Sequence, residues 1–250
     1  MLLSNLNIPM SPIRPVNAVK QSSSWMIQLG VLAAMFSVMS GCSLFVMAGK
    51  AMFGDPKVTS AFSAATGDDL TKSDEKVVII CSASHRLLSR IPSLQIDIVD
   101  RVSRNLETHG ILVVDSGDLA TWFDDHGEWG DYTELAAEFE AGYILHVDLR
   151  EFDYRVPESE NLLQGKAEGR ITVHQIKTQK KPSLSLSKPR KDFVPVMSVF
   201  DRDFALKFPA AYPVPRETRS EDMFAQSFLD RTAMHISQHL YDYKMSESVH

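Results

Sequence analysis

The chain lacks three things that would have narrowed its class. It has almost no cysteine, no acid in its first 54 residues, and no glycine-rich phosphate loop. Two cysteines in 250 residues exclude a disulfide-stapled scaffold. Twelve Gly and 12 Pro are too few for a collagenous or low-complexity chain. A net charge of -6 argues against a general nucleic-acid binder. The charge is unevenly placed. Met1 to Gly54 holds only Arg14, Lys20 and Lys50, whereas all 32 acids and 23 of the 26 bases follow, so the remainder carries -9.

What the leader does contain is one long uncharged run, the 23 residues from Met26 to Ala48. Two bases precede it, and Trp25 stands at its start, where an amphipathic ring favours an interface. Basic residues, an apolar core and small residues at its end make a secretory signal. The run passes through Met39-Ser40-Gly41-Cys42, which resembles a bacterial lipobox with Met39 in the usual place of Leu. The resemblance implies cleavage after Gly41 and lipid on Cys42. Two other readings stay open. The segment is long enough for an uncleaved transmembrane helix, since about 20 apolar residues span a bilayer, and the apolar Leu44-Phe45-Val46-Met47 after the cysteine favours that reading. In the third, Cys42 is a core residue of an ordinary buried helix. The first 24 residues are long for the basic region of a signal, so Met10 is an alternative start. The first two readings place the acidic part outside the cytoplasmic membrane.

The expected organisation is a signal peptide or part of a signal anchor over 1–41, a tether over 42–75, a domain over 76–245 and a tail over 246–250. The tether is expected because Asp55 to Glu75 is small, polar and punctuated by Gly and Pro. Within the domain, Lys76 to Ser82 is a continuous β-branched run, as in a strand buried on both faces. Ser93 can cap a helix in which Leu94, Ile98, Val102 and Leu106 recur every four residues, stopped by Gly110. Ile111 to Val114 is expected as a second strand, completing a parallel β-α-β unit. A short helix with Leu119, Trp122 and Phe123 follows, then a helix opened by Asp131 and ending near Gly142. Strands are expected over 143–152, 167–176 and 194–208, and a last helix from Ser220 to about Tyr243. The order β-α-β-α-α-β-β-β-α predicts a single, three-layer-like α/β domain with a mixed sheet.

The segment Ala141-Gly142-Tyr143-Ile144-Leu145-His146-Val147-Asp148-Leu149 resembles the start of the third strand in a small α/β domain of bacterial envelope proteins. That domain forms the N-terminal part of the Tol-system periplasmic protein and occurs in curli-export lipoproteins and in lipoprotein activators of cell-wall synthases. The resemblance implies an envelope protein that scaffolds or binds partners and is not an enzyme. It covers about residues 76–243 at the level of element order. One departure is Gln175-Ile176-Lys177-Thr178-Gln179, where the domain often has an Asp and a Thr-Gly turn.

Candidate sites are few, and each has a bland counterpart. Cys81 lies in an apolar run and is expected as a buried strand thiol; His85 four residues on is all that favours a nucleophile. His235 and His239 share the four-residue spacing of two zinc ligands, but Ile236 stands where a zincin has its Glu, and a solvated helix face is the alternative. Asp124-Asp125-His126 forms an acid-base cluster or merely finishes a helix. His146 and Asp148 share a strand face that points into a cleft or into solvent. No Gly-x-Ser-x-Gly or Gly-x-Gly-x-x-Gly motif is present. We therefore expect no catalytic residues, no metal and no cofactor.

Lys177 to Lys191 carries six bases and no acid, the pattern of a loop that touches anionic headgroups or a cell-wall polymer, or of a plain solvated loop. The expected partners are membrane lipid through the N-terminus and envelope proteins or cell-wall polymer, without nucleic acid. Two rivals remain: an exported hydrolase using His146, Asp148 or the Asp124/Asp125/His126 group, and a subunit of an envelope transport assembly. The second predicts an unpaired sheet edge, as at Ala167 to Ile176.

Overall fold

In the computed structural model, residues 56–127, 131–177 and 196–245 are described. The leader with Cys42, the loop after Lys177 and the tail after Met245 lie outside them. Among the described residues no helix is long and apolar enough to cross a membrane, and the run from Met26 to Ala48 is not among those residues.

The fold is α/β with a mixed sheet, as the element order predicts. Its strands are β1 (Lys57–Val58), β2 (Lys76–Ala83), β3 (Ala141–Arg155), β4 (Leu162–Ile176), β5 (Val196–Phe208), β6 (Val214–Pro215) and β7 (Tyr243–Lys244). The helices are α1 (Ala61–Thr66), α2 (His85–Arg90), α3 (Leu94–Thr108), α4 (Ser116–His126), α5 (Tyr132–Phe139) and α6 (Glu221–Ser237). The main sheet runs β2-β3-β4-β5, with β6 pairing to β4. β2 and β3 are parallel, and the other pairs are antiparallel.

β2 is apolar and buried from Val77 to Ile80 because both its faces are covered there. Val77 and Ile79 join the core under α3 and α6, while Val78 and Ile80 join a second core under α4 and α5. On the first face, the four-residue repeat of α3 buries Leu94, Ile98, Val102 and Leu106, and α6 adds Phe224, Phe228, Ala233 and Ile236. On the second face, Leu119, Trp122, Leu135 and Ala136 pack on Ile144. That layer extends to Ile176 of β4 and Val196 of β5 at one end of the sheet. Beyond it, β3 carries the exposed side chain of Arg150, and β5 those of Asp201 and Asp203.

Gly165 explains how an aromatic helix face lies close to β4. A Cβ at this position would overlap the ring of Phe228, so only hydrogen fits beneath it.

Four local expectations need correction. Ile111 to Val114 forms a single parallel bridge, Val77 to Val113, because Asp115 at once caps α4 by accepting from Gly117 and Asp118 N–H. Ser93 has helical backbone angles, so its hydroxyl donates to Asp97 at 2.7 Å instead of accepting a helix N–H. α5 ends at Phe139, earlier than Gly142, with Glu140 in the left-handed conformation. The segment read as tether is folded from Lys57: Phe62 and Leu70 are buried, and β1 pairs with β7. Ser60 N–H donates to Asp242 at 2.8 Å, and Phe62 N–H to His239 O at 2.9 Å. Phe62 anchors this polar segment because its ring meets Tyr143 and Phe200 from far along the chain.

Candidate functional site

The densest group of chemistry-bearing side chains lies where β2 and β3 run parallel, on the face that α5 covers. Register places Ser82 opposite Asp148 and Ile80 opposite His146. Side chains two apart along a strand share a face, so Ser82, His146 and Asp148 converge. Ser82 Oγ lies 2.9 Å from His146 Nε2 and 3.3 Å from Asp148 Oδ1. From α5, which Asp131 caps by accepting from Thr133 N–H, the Tyr132 hydroxyl reaches His146 Nδ1 at 3.0 Å. The Tyr132 ring also stacks on His174 of β4, with centroids 4.3 Å apart.

Burial lowers the pKa of His146, against the opposing pull of Asp148, and burial lowers that of His174 as well. The Tyr132 phenol is raised by burial. All three groups are therefore neutral near pH 7. A serine-histidine-carboxylate relay needs the carboxylate on the imidazole nitrogen opposite the serine. Here the Tyr132 hydroxyl stands at that nitrogen, and Asp148 stands at the serine. Asp148 also belongs to a surface lattice: Arg150 joins it to Asp203, and Arg170 joins Asp203 to Asp201.

The sequence singled out His146 and Asp148 and missed Ser82, Tyr132 and His174. The outward alternation of Arg170, Thr172 and His174 on β4 is a signal that could have found His174. Ser82 is recognisable only once the β2–β3 register is known.

The other candidates are dispersed. Asp124, Asp125 and His126 are exposed at the end of α4. The His126 ring stacks on Trp122 at 4.6 Å, and its Nδ1 lies 3.0 Å from Trp122 O, so it finishes its own helix. Cys81 Sγ donates to Ser82 O at 3.8 Å, and burial, with Asp148 second, pushes its thiol up to about 12. His85, the first residue of α2, is exposed.

His235 and His239 are half-buried, which corrects the solvated-face reading. Their rings meet edge-on at 5.2 Å, and His235 also faces Phe204 at 6.1 Å. Burial, then His235 and Arg202, brings His239 down to about 4. Among the described residues, no three His, Cys, Asp or Glu side chains gather to hold a metal ion.

A cavity of about 570 Å³ lies elsewhere, between Arg155, Glu160, Leu163 and Arg216. Its arginines are already engaged: Arg155 bonds Glu221 at 2.7 Å, and Arg216 bonds both Glu221 and the Glu160 carbonyl.

No protein-family model matches the chain, and no curated protein matches it. Among solved structures it is similar to the PelC dodecamer from Paraburkholderia phytofirmans. The identity is 10%, over 74% of this chain and 97% of that one, with a TM-score of 0.37. Lipoprotein GNA1162 from Neisseria meningitidis matches at 6% identity, over 61% of this chain and 92% of that one, with a TM-score of 0.33. A putative neuraminyllactose-binding hemagglutinin homolog from Helicobacter pylori matches at 12% identity, over 68% and 87%, with a TM-score of 0.32. Likenesses this low carry nothing about activity. The Tol-system likeness of Ala141 to Leu149 has no counterpart among these three.

Proposed function

We propose that this chain is a membrane-anchored protein of the bacterial cell envelope, held by lipid on Cys42, whose α/β domain binds or scaffolds envelope components without catalysis. The observation that carries the reading is the uncharged run from Met26 to Ala48, which contains Met39-Ser40-Gly41-Cys42 and follows a leader with bases and no acid. A basic leader of this kind keeps its charged side in the cytoplasm. The acidic domain is then exported.

Two features support a binding role. The imidazole of His146 is held between two hydroxyls, and Asp148 is ion-paired with Arg150 of its own strand, which reaches across to Asp203. The open part of the sheet face offers a charged surface with Arg150, Asp201 and Asp203 exposed on it. Envelope proteins or cell-wall polymer are its partners in this reading. Leu44-Phe45-Val46-Met47 favours a second reading of the anchor, an uncleaved transmembrane segment with the same topology.

The test combines palmitate labelling with fractionation. Wild type incorporates label and stays with membranes, whereas Cys42→Ser loses the label and leaves the membrane fraction. An unlabelled wild type overturns lipidation. Envelope crosslinking followed by affinity capture then identifies the partner, and a chain that crosslinks to nothing overturns the scaffold.

A further inference from the structure

β5 is an edge of the main sheet. The expected edge at Ala167 to Ile176 is instead interior, since β4 pairs with β3 on one side and with β5 on the other. Among the described residues, β5 pairs with β4 alone, so the other side of a 13-residue strand keeps its backbone groups unpaired. Long edges of this kind are templates for another strand. A cis Phe208–Pro209 bond marks the end of this one.

From Phe200 to Phe208 the side chains of β5 point alternately to the two faces, with Arg202 exposed on the side of Phe200 and Phe204. Phe200 and Phe204 are buried toward the helices, while Asp201, Asp203, Ala205 and Lys207 lie on the open face. An antiparallel pairing of β5 with a second copy about a two-fold axis places residues directly opposite one another on a common face. Where the axis falls decides which charges meet. Centred on Arg202, the pairing sets Asp201 against the partner's Asp203 twice. Centred on Asp203, it sets that carboxylate against itself. Centred on Phe204, it sets Asp201 against the partner's Lys207 on both sides of the axis, with Asp203 against the partner's Ala205. A shift to Ala205 would bring Lys207 to Asp203, which Arg150 and Arg170 already hold at 3.1 and 3.0 Å. Asp201 is the less committed acid, with one contact to Arg170 at 3.5 Å.

We propose that β5 pairs antiparallel with β5 of a second copy, centred on Phe204, extending the sheet across a two-fold axis with reciprocal Asp201–Lys207 contacts. The pairing does not depend on how the chain is anchored, so a failure here leaves the Cys42 reading untouched. The competing possibility is that Arg202 and Lys207 are charges that keep an edge strand single.

The experiment is a charge swap in the full chain in mild detergent, with particle mass and self-dissociation constant measured by sedimentation. Wild type has twice the protomer mass and dissociates as salt rises. Lys207→Asp and Asp201→Lys each weaken the dimer by roughly tenfold or more, and the double swap Asp201→Lys/Lys207→Asp restores it. Both side chains are exposed, and matching circular dichroism melts confirm that the variants fold. A wild type that stays monomeric at every concentration overturns the proposal. So does a dimer indifferent to the single reversals, or one that the double swap fails to restore.

Discussion

The Tyr132 hydroxyl stands 3.0 Å from Nδ1 of His146, on the side of the ring where a catalytic carboxylate would stand. With Ser82 at Nε2, both nitrogens of a half-buried imidazole meet hydroxyls that can either donate or accept. The cluster ties α5 to the sheet.

Tyr132→Phe removes that hydroxyl and keeps the ring on His174. We expect a loss of about 1 kcal/mol in urea unfolding, the usual worth of one internal hydrogen bond. Ser82→Ala, which strips a partner from both His146 and Asp148, is expected to cost at least as much. Variants as stable as wild type would show that the cluster does not tie the layers together.

Gly165→Ala adds a methyl where the Phe228 ring lies. Overpacking of this kind costs about 1–3 kcal/mol. The smaller side chain in Gly165→Ala/Phe228→Leu relieves the overlap, so the double variant should be more stable than the sum of the two single changes predicts. Strict additivity in thermal or urea unfolding would place the glycine's role elsewhere.

The depressed pKa of His239 gives a pH dependence with a defined sign. The unfolded chain takes up the proton near pH 6.5, and the folded chain only near pH 4. Stability contributed by the neutral ring is complete above pH 6.5 and falls as pH drops through that interval. Carboxylates titrate there too, so the comparison is with His239→Gln. Wild type should lose more stability than the variant between pH 7 and 4.5. Equal losses would contradict the assignment.

Cys81, with its thiol pushed up to about 12, is protonated at ordinary pH. In the folded protein it should resist a thiol reagent at pH 8 and react at once in denaturant. Cys81 is partly buried, so rapid labelling of the native chain would overturn the raised thiol pKa.

The main elements were legible where the pattern is local. Val77 to Ile80 reads as a doubly buried strand because both neighbours along the sheet normal are apolar, and the repeats of α3 and α6 follow the helical period. α2 was not anticipated, since His85 to Arg90 shows no repeat long enough to register. The folding of Lys57 to Lys72 is hidden because Phe62 finds its partners far along the chain, among them Tyr143, Phe200 and the His239 carbonyl. The site was half legible for the same reason. His146 and Asp148 alternate within one strand, whereas Ser82, Tyr132 and His174 join them through register and helix placement.

In the proposed function the domain is held at a membrane through Cys42. Intact-mass analysis of the mature protein, followed by fragmentation of its N-terminal peptide, tests it directly. The expected result is an N-terminus at Cys42 carrying lipid mass, with residues 1–41 gone. A mature chain that still begins at Met1 or Met10, with an unmodified Cys42, would contradict it.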